Sequence, residues 1–404
     1  NSLKGTFQFD DRELILRTPY TQNLDIFWEN VHFIGENFDL RSIGNRPVLL
    51  LSYALNNHLK LKKEFGFHLT NLLLHLLVST FVFFILLRIL LIYEKQPPGG
   101  VFLIFEASEK FNPFRTALPF FATLIFAVHP LGTDSVTYIS SRSTLLLTLF
   151  YLAGVYTFLT IFSIDLRKSI FKSLLLFIGV FFNFCFALFT KLTAATLPAT
   201  LAIVYICSVG SIRWKKIQIK LTGKAALVTY TLIMLVPAAL LIQYKNMDSG
   251  IGVYGRLPYL LVQFKAILFY YLKVFLWPFN QNIDIGYPFS TLSQDFLIPL
   301  AIILTFALLW YCLFRGGWLL RLSILWVIIT LAPTSSFIPL NDIAVEHRLY
   351  LPMALGLCPA FAALIYSSAF SRRILNFEFF FQKRVYYVQI SWEMHSETQG
   401  TPPK

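Results

Sequence analysis

The sequence predicts an all-α polytopic membrane protein built as a helical bundle. Of its 404 residues, 56% are hydrophobic and only 14% are charged, whereas an average soluble domain carries roughly a quarter charged residues. Apolar runs recur along the whole chain, and a helix needs roughly 17 to 25 such residues to cross a hydrocarbon core of about 30 Å. This combination indicates an integral membrane protein and excludes the ordinary soluble enzyme classes.

Nine apolar runs are predicted to cross the membrane as helices. They cover 66–92, 117–130, 144–163, 172–190, 193–209, 224–243, 296–314, 318–334 and 351–370. We expect the flanks of the short run 117–130 to extend it. Because the chain starts at Asn1 in a polar segment, we also expect one further spanning helix ahead of it that this sequence lacks. The chain then divides into a first loop at 1–65, a transmembrane bundle at 66–370 and a short tail at 371–404.

Lysines and arginines in the connections predict the orientation of the bundle. They crowd four connections, which we therefore place in the cytoplasm: 167–172, 213–224, 315–321 and 372–373. Alternation then puts the segment 1–65, the turn after His129, the region around Lys191, the loop 244–295 and the connection 335–350 on the extracytoplasmic side. The net charge of +13 follows from this topology, so it does not indicate a nucleic-acid partner.

The run 258–278 cannot span the membrane once without reversing this orientation. We predict that it lies along the outer interface or re-enters the membrane. Its residues Lys265, Lys273 and Trp277 suit the headgroup layer, where aromatic rings and snorkelling lysines are stable. The alternative is that one of the other helices is misassigned.

Polar residues inside or beside the apolar runs are the functional candidates, because lipid would leave them unsatisfied. His68, Asn71 and His75 are spaced three and four apart and therefore share one helical face. This stripe suits hydrogen bonds between helices as well as a functional role.

Three connections carry the other candidates. His129 ends a helix before Pro130, which cannot continue the hydrogen-bond ladder, and Asp134 and Arg142 follow shortly afterwards. Lys191 separates two apolar runs, where a simple alternative is a snorkelling lysine. Glu346 and Arg348 precede the last run, and a structural ion pair is the alternative there. All the candidates fall on the predicted outer side: Asp10, Asp11, Arg46, His68, His129, Asp134, Arg142, Lys191, Glu346 and Arg348.

Such one-sided clustering indicates a reaction chamber at the outer leaflet. It combines carboxylates that could act as bases with cations that could bind a phosphate. Transfer from a lipid-phosphate donor requires both.

Six motifs follow one another in an order that carries a family resemblance. They are Phe9-Asp10-Asp11, Asn45-Arg46-Pro47, Gly66-Phe67-His68 through His75, His129-Pro130 with Thr133-Asp134 and Arg142, Lys191 with Thr193, and Glu346-His347-Arg348 through Pro352. This order resembles the membrane part of the GT-C glycosyltransferases. The closest match is to the transmembrane and tetratricopeptide-repeat-containing O-mannosyltransferases and their bacterial relatives. The resemblance covers most of the chain up to about residue 370.

The resemblance implies a GT-C type bundle and transfer of a sugar, mannose in the eukaryotic members, from a polyprenyl- or dolichyl-phosphate carrier. The acceptor is a hydroxyl of a protein Ser or Thr, or of a glycan, on the periplasmic or lumenal side. The membrane implied is a bacterial inner membrane or the endoplasmic reticulum. Direct displacement inverts the anomeric centre, and Arg348, Arg142, Lys191 or His129 would stabilise the phosphate. Two departures are visible: Leu192 follows Lys191 where an acid is usual, and Asp134 stands where glutamate is common.

The acidic pair at the start supplies the expected base. In an extended segment consecutive side chains point to opposite faces, so Asp10 and Asp11 cannot share that job, and we favour Asp10. A divalent cation would suit an acidic pair, but no ligand set is legible in the sequence. A transporter or lipid flippase, and a catalytically inactive scaffold, are the rival interpretations.

Overall fold

The computed structural model describes residues 2–29, 46–61, 64–94, 114–161, 170–208, 254–279, 281–282 and 286–367. All regular secondary structure within these ranges is helical. The predicted span 224–243 and the tail 371–404 lie outside them, as do the basic connection 213–224 and residues 167–169.

The principal helices are numbered in chain order. They are α1 (Pro47–His58), α2 (Glu64–Glu94), α3 (Phe114–Val128), α4 (Gly132–Thr137), α5 (Arg142–Ile161), α6 (Ile170–Leu188), α7 (Leu197–Ser208), α8 (Arg256–Leu276), α9 (Leu297–Arg315), α10 (Trp318–Leu331) and α11 (350–367). Short helical turns precede α1, including Arg12–Arg17, and a 3-10 turn at Glu346–Leu349 leads into α11.

Five described helices are long and apolar enough to cross a membrane: α2, α5, α8, α9 and the segment Glu346–Ile365. Four further predicted runs form shorter apolar helices, which are α3, α6, α7 and α10. The all-helical, multi-span class predicted from the sequence is therefore confirmed. The five long helices are fewer than the nine predicted spans, and one of the five, α8, was not among those nine.

The core is built on α2, which packs against both α3 and α5, while α11 packs against α3 and α10. Val82, Ile89, Tyr151 and Trp326 are completely buried in it. The indole of Trp326 donates a hydrogen bond of 3.0 Å to a carbonyl at the start of α11. Because lipid is as apolar as these side chains, close packing and such hydrogen bonds hold the helices together.

The first loop contains a helix that the sequence analysis did not predict. Pro47 occupies the first turn of α1, a position that suits its fixed φ. Leu49, Leu50, Tyr53 and Ala54 are buried along one side of α1, which is the spacing of an amphipathic helix. With only 12 residues, α1 is too short to cross a membrane.

Helix α8 lies across one end of the bundle. The Tyr259 hydroxyl donates to the Thr334 carbonyl at 3.0 Å, and the Tyr271 hydroxyl accepts from a backbone N–H in the connection before α11 at 3.1 Å. Near its other end, the Phe275 carbonyl accepts from His129 at 2.9 Å. Tyr259 and Phe275 are about 24 Å apart along the helix. The partners of all three residues nevertheless lie in connections at the same end of the bundle.

Gly356 on α11 lies close against α10, and we expect Gly356→Ala to destabilise the bundle. A Cβ there would lie 2.5 Å from Val327 Cγ2 and 3.3 Å from the Ser323 carbonyl oxygen. Overpacking of this kind lowers the free energy of unfolding by about 1–3 kcal/mol, measurable as a lower melting temperature in detergent. Gly317→Ala is the matched control, because nothing lies within 4 Å of its Cβ position, and its melting temperature should stay unchanged.

Candidate active site

The N-terminal segment and three connections meet at one end of the bundle. The backbone N–H of His347 donates to Asp134 at 3.1 Å, and Lys191 Nζ donates to Thr144 Oγ1 at 3.2 Å. The Ser140 N–H donates to an oxygen of the Asp11 carboxylate at 2.7 Å. The structure thus brings together the outer segments that the orientation argument placed on one side.

Asp11 anchors the N-terminal segment to the start of α5. Its carboxylate accepts from the Ser140 N–H and hydroxyl through one oxygen and from the Gln8 N–H, at 3.1 Å, through the other. The residue is only 1% exposed. Burial raises the pKa of Asp11, and the hydrogen bonds from Ser140 oppose this shift.

Asp10 points the other way and is exposed. The two acids lie at the start of a helical turn, so the predicted extended backbone is wrong. Their environments nevertheless differ, because Asp10 is exposed and Asp11 is buried. The Asp10 N–H donates to the Tyr138 hydroxyl at 3.2 Å. Burial, followed by the nearby Asp10 carboxylate, raises the pKa of Tyr138 to about 12, so this hydroxyl stays protonated at neutral pH.

The backbone just before Asp10 is strained. Phe9 has a φ of +42°, a conformation that non-glycine residues rarely adopt. Its ring is 66% exposed and packs edge-on against Tyr138, with centroids 6.3 Å apart. Such strain persists where neighbouring contacts hold the backbone in place, and here Tyr138 on one side and buried Asp11 on the other supply them.

Arg142 is fully buried at the start of α5. Its Nε donates to Asn71 Oδ1 at 2.7 Å, and Nη1 donates to Asn56 Oδ1 at 2.8 Å and to the Ser52 carbonyl at 3.2 Å. Nη2 donates to the Phe67 carbonyl at 3.1 Å. The guanidinium, predicted as a phosphate ligand, therefore ties α1 and α2 to α5 in this structure.

The two predicted histidines also contact backbone. His68 Nε2 lies 3.2 Å from the Gly5 carbonyl, which holds the N-terminal segment on α2. His129 donates from Nε2 to the Phe275 carbonyl at 2.9 Å and accepts at Nδ1 from the Leu131 N–H at 3.2 Å. An imidazole that donates with one nitrogen and accepts with the other is neutral. Burial lowers the pKa of His129 accordingly.

Three predicted cations lie near one another. Lys191 is half-buried, and burial together with nearby Arg46 and Arg348 lowers the pKa of Lys191 to about 7. The guanidinium of Arg348 donates to the carbonyls of Asp342 at 2.7 Å and Ile343 at 3.1 Å, which folds the connection before α11 around it. Like charges held so close together favour binding of an anion.

Glu346 is buried at the start of the 3-10 turn Glu346–Leu349, which also contains Arg348. Its carboxylate accepts from the Tyr270 hydroxyl at 2.8 Å and from the Asn282 N–H at 3.2 Å. It therefore fastens α8, and the segment that follows α8, to the start of α11. In this structure it forms no ion pair with Arg348.

His347 is a candidate that the sequence analysis missed. One oxygen of Asp134 accepts from both the backbone N–H and Nδ1 of His347, at 3.1 and 3.2 Å. The ring is partly open to solvent, whereas Asp134 is buried. The sequence places His347 between two recognised candidates, but its partner is 213 residues away, so the pair was not detectable from spacing.

Helix α4 sets the spacing of the site. Asp134 lies in its first turn and holds His347, while Tyr138 directly follows its last residue and holds the backbone of Asp10. Tyr138 lies four positions after Asp134, which corresponds to a rise of about 6 Å along a helix. Within the described residues, no group of three or more His, Cys, Asp or Glu side chains is arranged to hold a metal ion.

Part of the chain is similar in sequence to known proteins. No protein-family model and no solved structure matches the chain. A protein O-mannosyl-transferase of Caenorhabditis elegans is 31% identical over 160 residues, which is 38% of this chain and 20% of that protein. The chain resembles the TMTC protein O-mannosyl-transferases.

Two further relatives carry the family's name. Protein O-mannosyl-transferase Tmtc3 of Drosophila melanogaster is 29% identical over 163 residues, covering 39% of this chain and 17% of that protein. Protein O-mannosyl-transferase TMTC3 of Homo sapiens is 26% identical over 162 residues, covering 39% and 15%. The matched region thus spans a fifth or less of each of these curated relatives.

Proposed function

We propose that this chain is an inverting glycosyltransferase of the GT-C type. It transfers mannose from a polyprenyl-phosphate carrier to a Ser or Thr hydroxyl of a protein on the extracytoplasmic side of its membrane. The similarity to proteins named O-mannosyl-transferases supports the sugar and the acceptor class. The arrangement of acids and cations supports the donor.

The observation that carries the proposal is the division of the site by α4. An exposed carboxylate, Asp10, lies at one end of this helix, and the Asp134–His347 pair lies at the other. Lys191 is close enough to Asp134 and Arg348 to interact electrostatically with both. Displacement with inversion needs a base and a leaving-group site on opposite sides of the sugar, and α4 separates the two groups here.

The residues divide the chemistry between them. Asp10 accepts the proton of the acceptor hydroxyl, whose oxygen attacks the anomeric carbon. The bond from that carbon to the phosphate oxygen breaks, and the electron pair leaves with the lipid phosphate. Lys191, with two N–H donors beyond the one used on Thr144, hydrogen-bonds the departing phosphate.

The path of α8 supports its placement at the outer membrane interface. Its contacts run along one end of the bundle rather than from one end to the other. Lys265 pairs with Asp295 at 2.5 Å, and Trp277 at its end is exposed. Such residues suit the headgroup layer, where α8 would form a wall of the donor site.

A transfer assay tests this function. The purified chain is incubated with polyprenyl-phosphate mannose and a Ser/Thr-rich peptide, and the peptide and lipid are then analysed by mass spectrometry. A mannose added to the peptide, matched by release of polyprenyl phosphate, is the expected result. A transporter or flippase would leave the donor chemically unchanged, and that outcome would refute the proposal.

The pKa of Lys191 predicts a pH dependence for donor binding. The lysine is charged below its folded pKa of about 7 and neutral above it. If the ammonium binds the phosphate, the KM for donor should rise as pH increases from 6 to 9, up to about tenfold per unit above pH 7. Lys191→Arg should keep the low KM throughout, because arginine stays charged. A donor KM that rises equally in both proteins would exclude Lys191 as the phosphate ligand.

A further inference from the structure

The Asp134–His347 pair has the geometry of a fixed proton donor. Asp134 Oδ2 lies 3.2 Å from His347 Nδ1 and 3.1 Å from the backbone N–H of the same residue. Because a carboxylate only accepts hydrogen bonds, Nδ1 must carry a proton. The carboxylate thereby sets both the tautomer and the orientation of the ring.

The pair is buried on one side and open on the other. The side chain of Asp134 is 5% exposed and that of His347 is 27% exposed. Among the described residues, His347 Nε2 makes no hydrogen bond, and neither does the buried second oxygen of Asp134. Burial lowers the pKa of His347, and the hydrogen bond to Asp134 opposes this shift.

The charged groups around His347 come from three elements. Asp134 lies on α4, Lys191 lies between α6 and α7, and Glu346 and Arg348 flank the histidine on its own turn. The two cations can gather an anion beside the ring. An arginine cannot release a proton at neutral pH, whereas histidine is the side chain whose usual pKa lies there.

We propose that His347 is the general acid of the transfer. This inference rests on the proposed function and extends it to the leaving group. As the bond between the anomeric carbon and the phosphate oxygen breaks, His347 Nε2 gives its proton to that oxygen. Asp10 receives the proton of the acceptor hydroxyl, so protons and charge balance, and solvent restores both groups after release. A phosphate monoester has a second pKa near 6, which matches an imidazolium donor.

Two substitutions separate proton donation from charge. His347→Gln keeps a hydrogen-bonding side chain of similar size but has no transferable proton. His347→Arg keeps a positive charge but also cannot donate a proton at neutral pH. Each is made in the wild-type chain and in Lys191→Arg, so that Lys191 does not contribute to the alkaline limb of the pH profile. The measured quantities are kcat and the donor KM with polyprenyl-phosphate mannose between pH 5 and 9.

We expect both variants to lose roughly 100-fold in kcat, the lower end of general acid–base contributions, with donor KM within about threefold. In the Lys191→Arg background, kcat should fall with rising pH when His347 is present and should lose that limb in both variants. A His347→Arg protein with wild-type kcat would show that charge alone matters. A limb that survives His347→Gln, or an effect on donor KM alone, would also overturn the proposal.

The wild-type measurement distinguishes failure of the proposed role of His347 from failure of the proposed glycosyltransferase function. If the wild-type chain transfers mannose and the variants behave as wild type, His347 is not the acid but the proposed function stands. If the wild-type chain leaves the donor intact, the proposed function fails and the role of His347 fails with it. Melting temperatures of the variants equal to that of the wild type identify a chemical rather than a folding effect.

Discussion

Asp10→Asn is expected to abolish transfer while leaving the fold intact. The carboxylate is exposed, and the described contact that fixes Asp10 is made by its backbone N–H to Tyr138. The amide has the same shape but cannot accept the proton of the acceptor hydroxyl. Removal of a general base lowers kcat by about 10²–10⁴. The test compares kcat and the melting temperature in detergent for the wild-type and variant proteins.

Asp11→Asn is the matched control, and we expect it to lower the stability of the protein. Asp11 is buried and accepts from two N–H groups and one hydroxyl, whereas an asparagine would turn N–H donors towards some of them. Loss of hydrogen bonds to a buried charged group destabilises by about 1.5–3 kcal/mol. A lower melting temperature should therefore accompany its loss of activity. Should Asp11→Asn be inactive at full stability while Asp10→Asn works, the base would be Asp11.

Arg142→Met should be the most destabilising single substitution considered in this chain. It would leave Asn71, Asn56 and the Phe67 carbonyl without the donors that they now share. Each buried acceptor left without a hydrogen bond costs about 1–3 kcal/mol, and several together are enough to lower the folded yield as well as the melting temperature. Arg142→Lys should recover little, because one ammonium cannot reach four acceptors on two helices.

Arg12→Met controls for the change of residue type. Arg12 is exposed in the neighbouring N-terminal segment, so its replacement should alter stability by less than about 0.5 kcal/mol. If Arg142→Met melted like the wild-type protein but raised the donor KM, the guanidinium would be a phosphate ligand, as its place in the sequence first indicated. The two outcomes are separated by melting curves measured without donor.

The helices were largely predictable because hydropathy and length identify them directly. The runs 66–92 and 144–163 correspond to α2 and α5 within two residues at each end. Helix α1 was not predicted, because its apolar face is short and lies in a segment of mixed polarity. The site was less accessible to sequence reasoning, since Asp11 and its partner Ser140 are 129 residues apart. Orientation arguments placed such residues on one side without showing which of them touch.

The same limit explains the roles of the cations. Sequence patterns mark Arg142 and Lys191 alike as improbable charges beside apolar helices. The structure distinguishes them by their acceptors: Arg142 is surrounded by amide and carbonyl oxygens, whereas the described hydrogen bond of Lys191 goes to a single hydroxyl. Acceptors contributed by other helices cannot be read from the sequence around a cation. They depend on how the helices pack.

The buried guanidinium of Arg142 also constrains how the chain can be assembled. Its acceptors lie on α1 and α2, which precede α5 in the sequence. During synthesis the acceptor residues are therefore made before the arginine that they bind. A charged side chain without hydrogen-bond partners has an unfavourable free energy in lipid. The chain order thus makes acceptors for this charge available before α5 is synthesised.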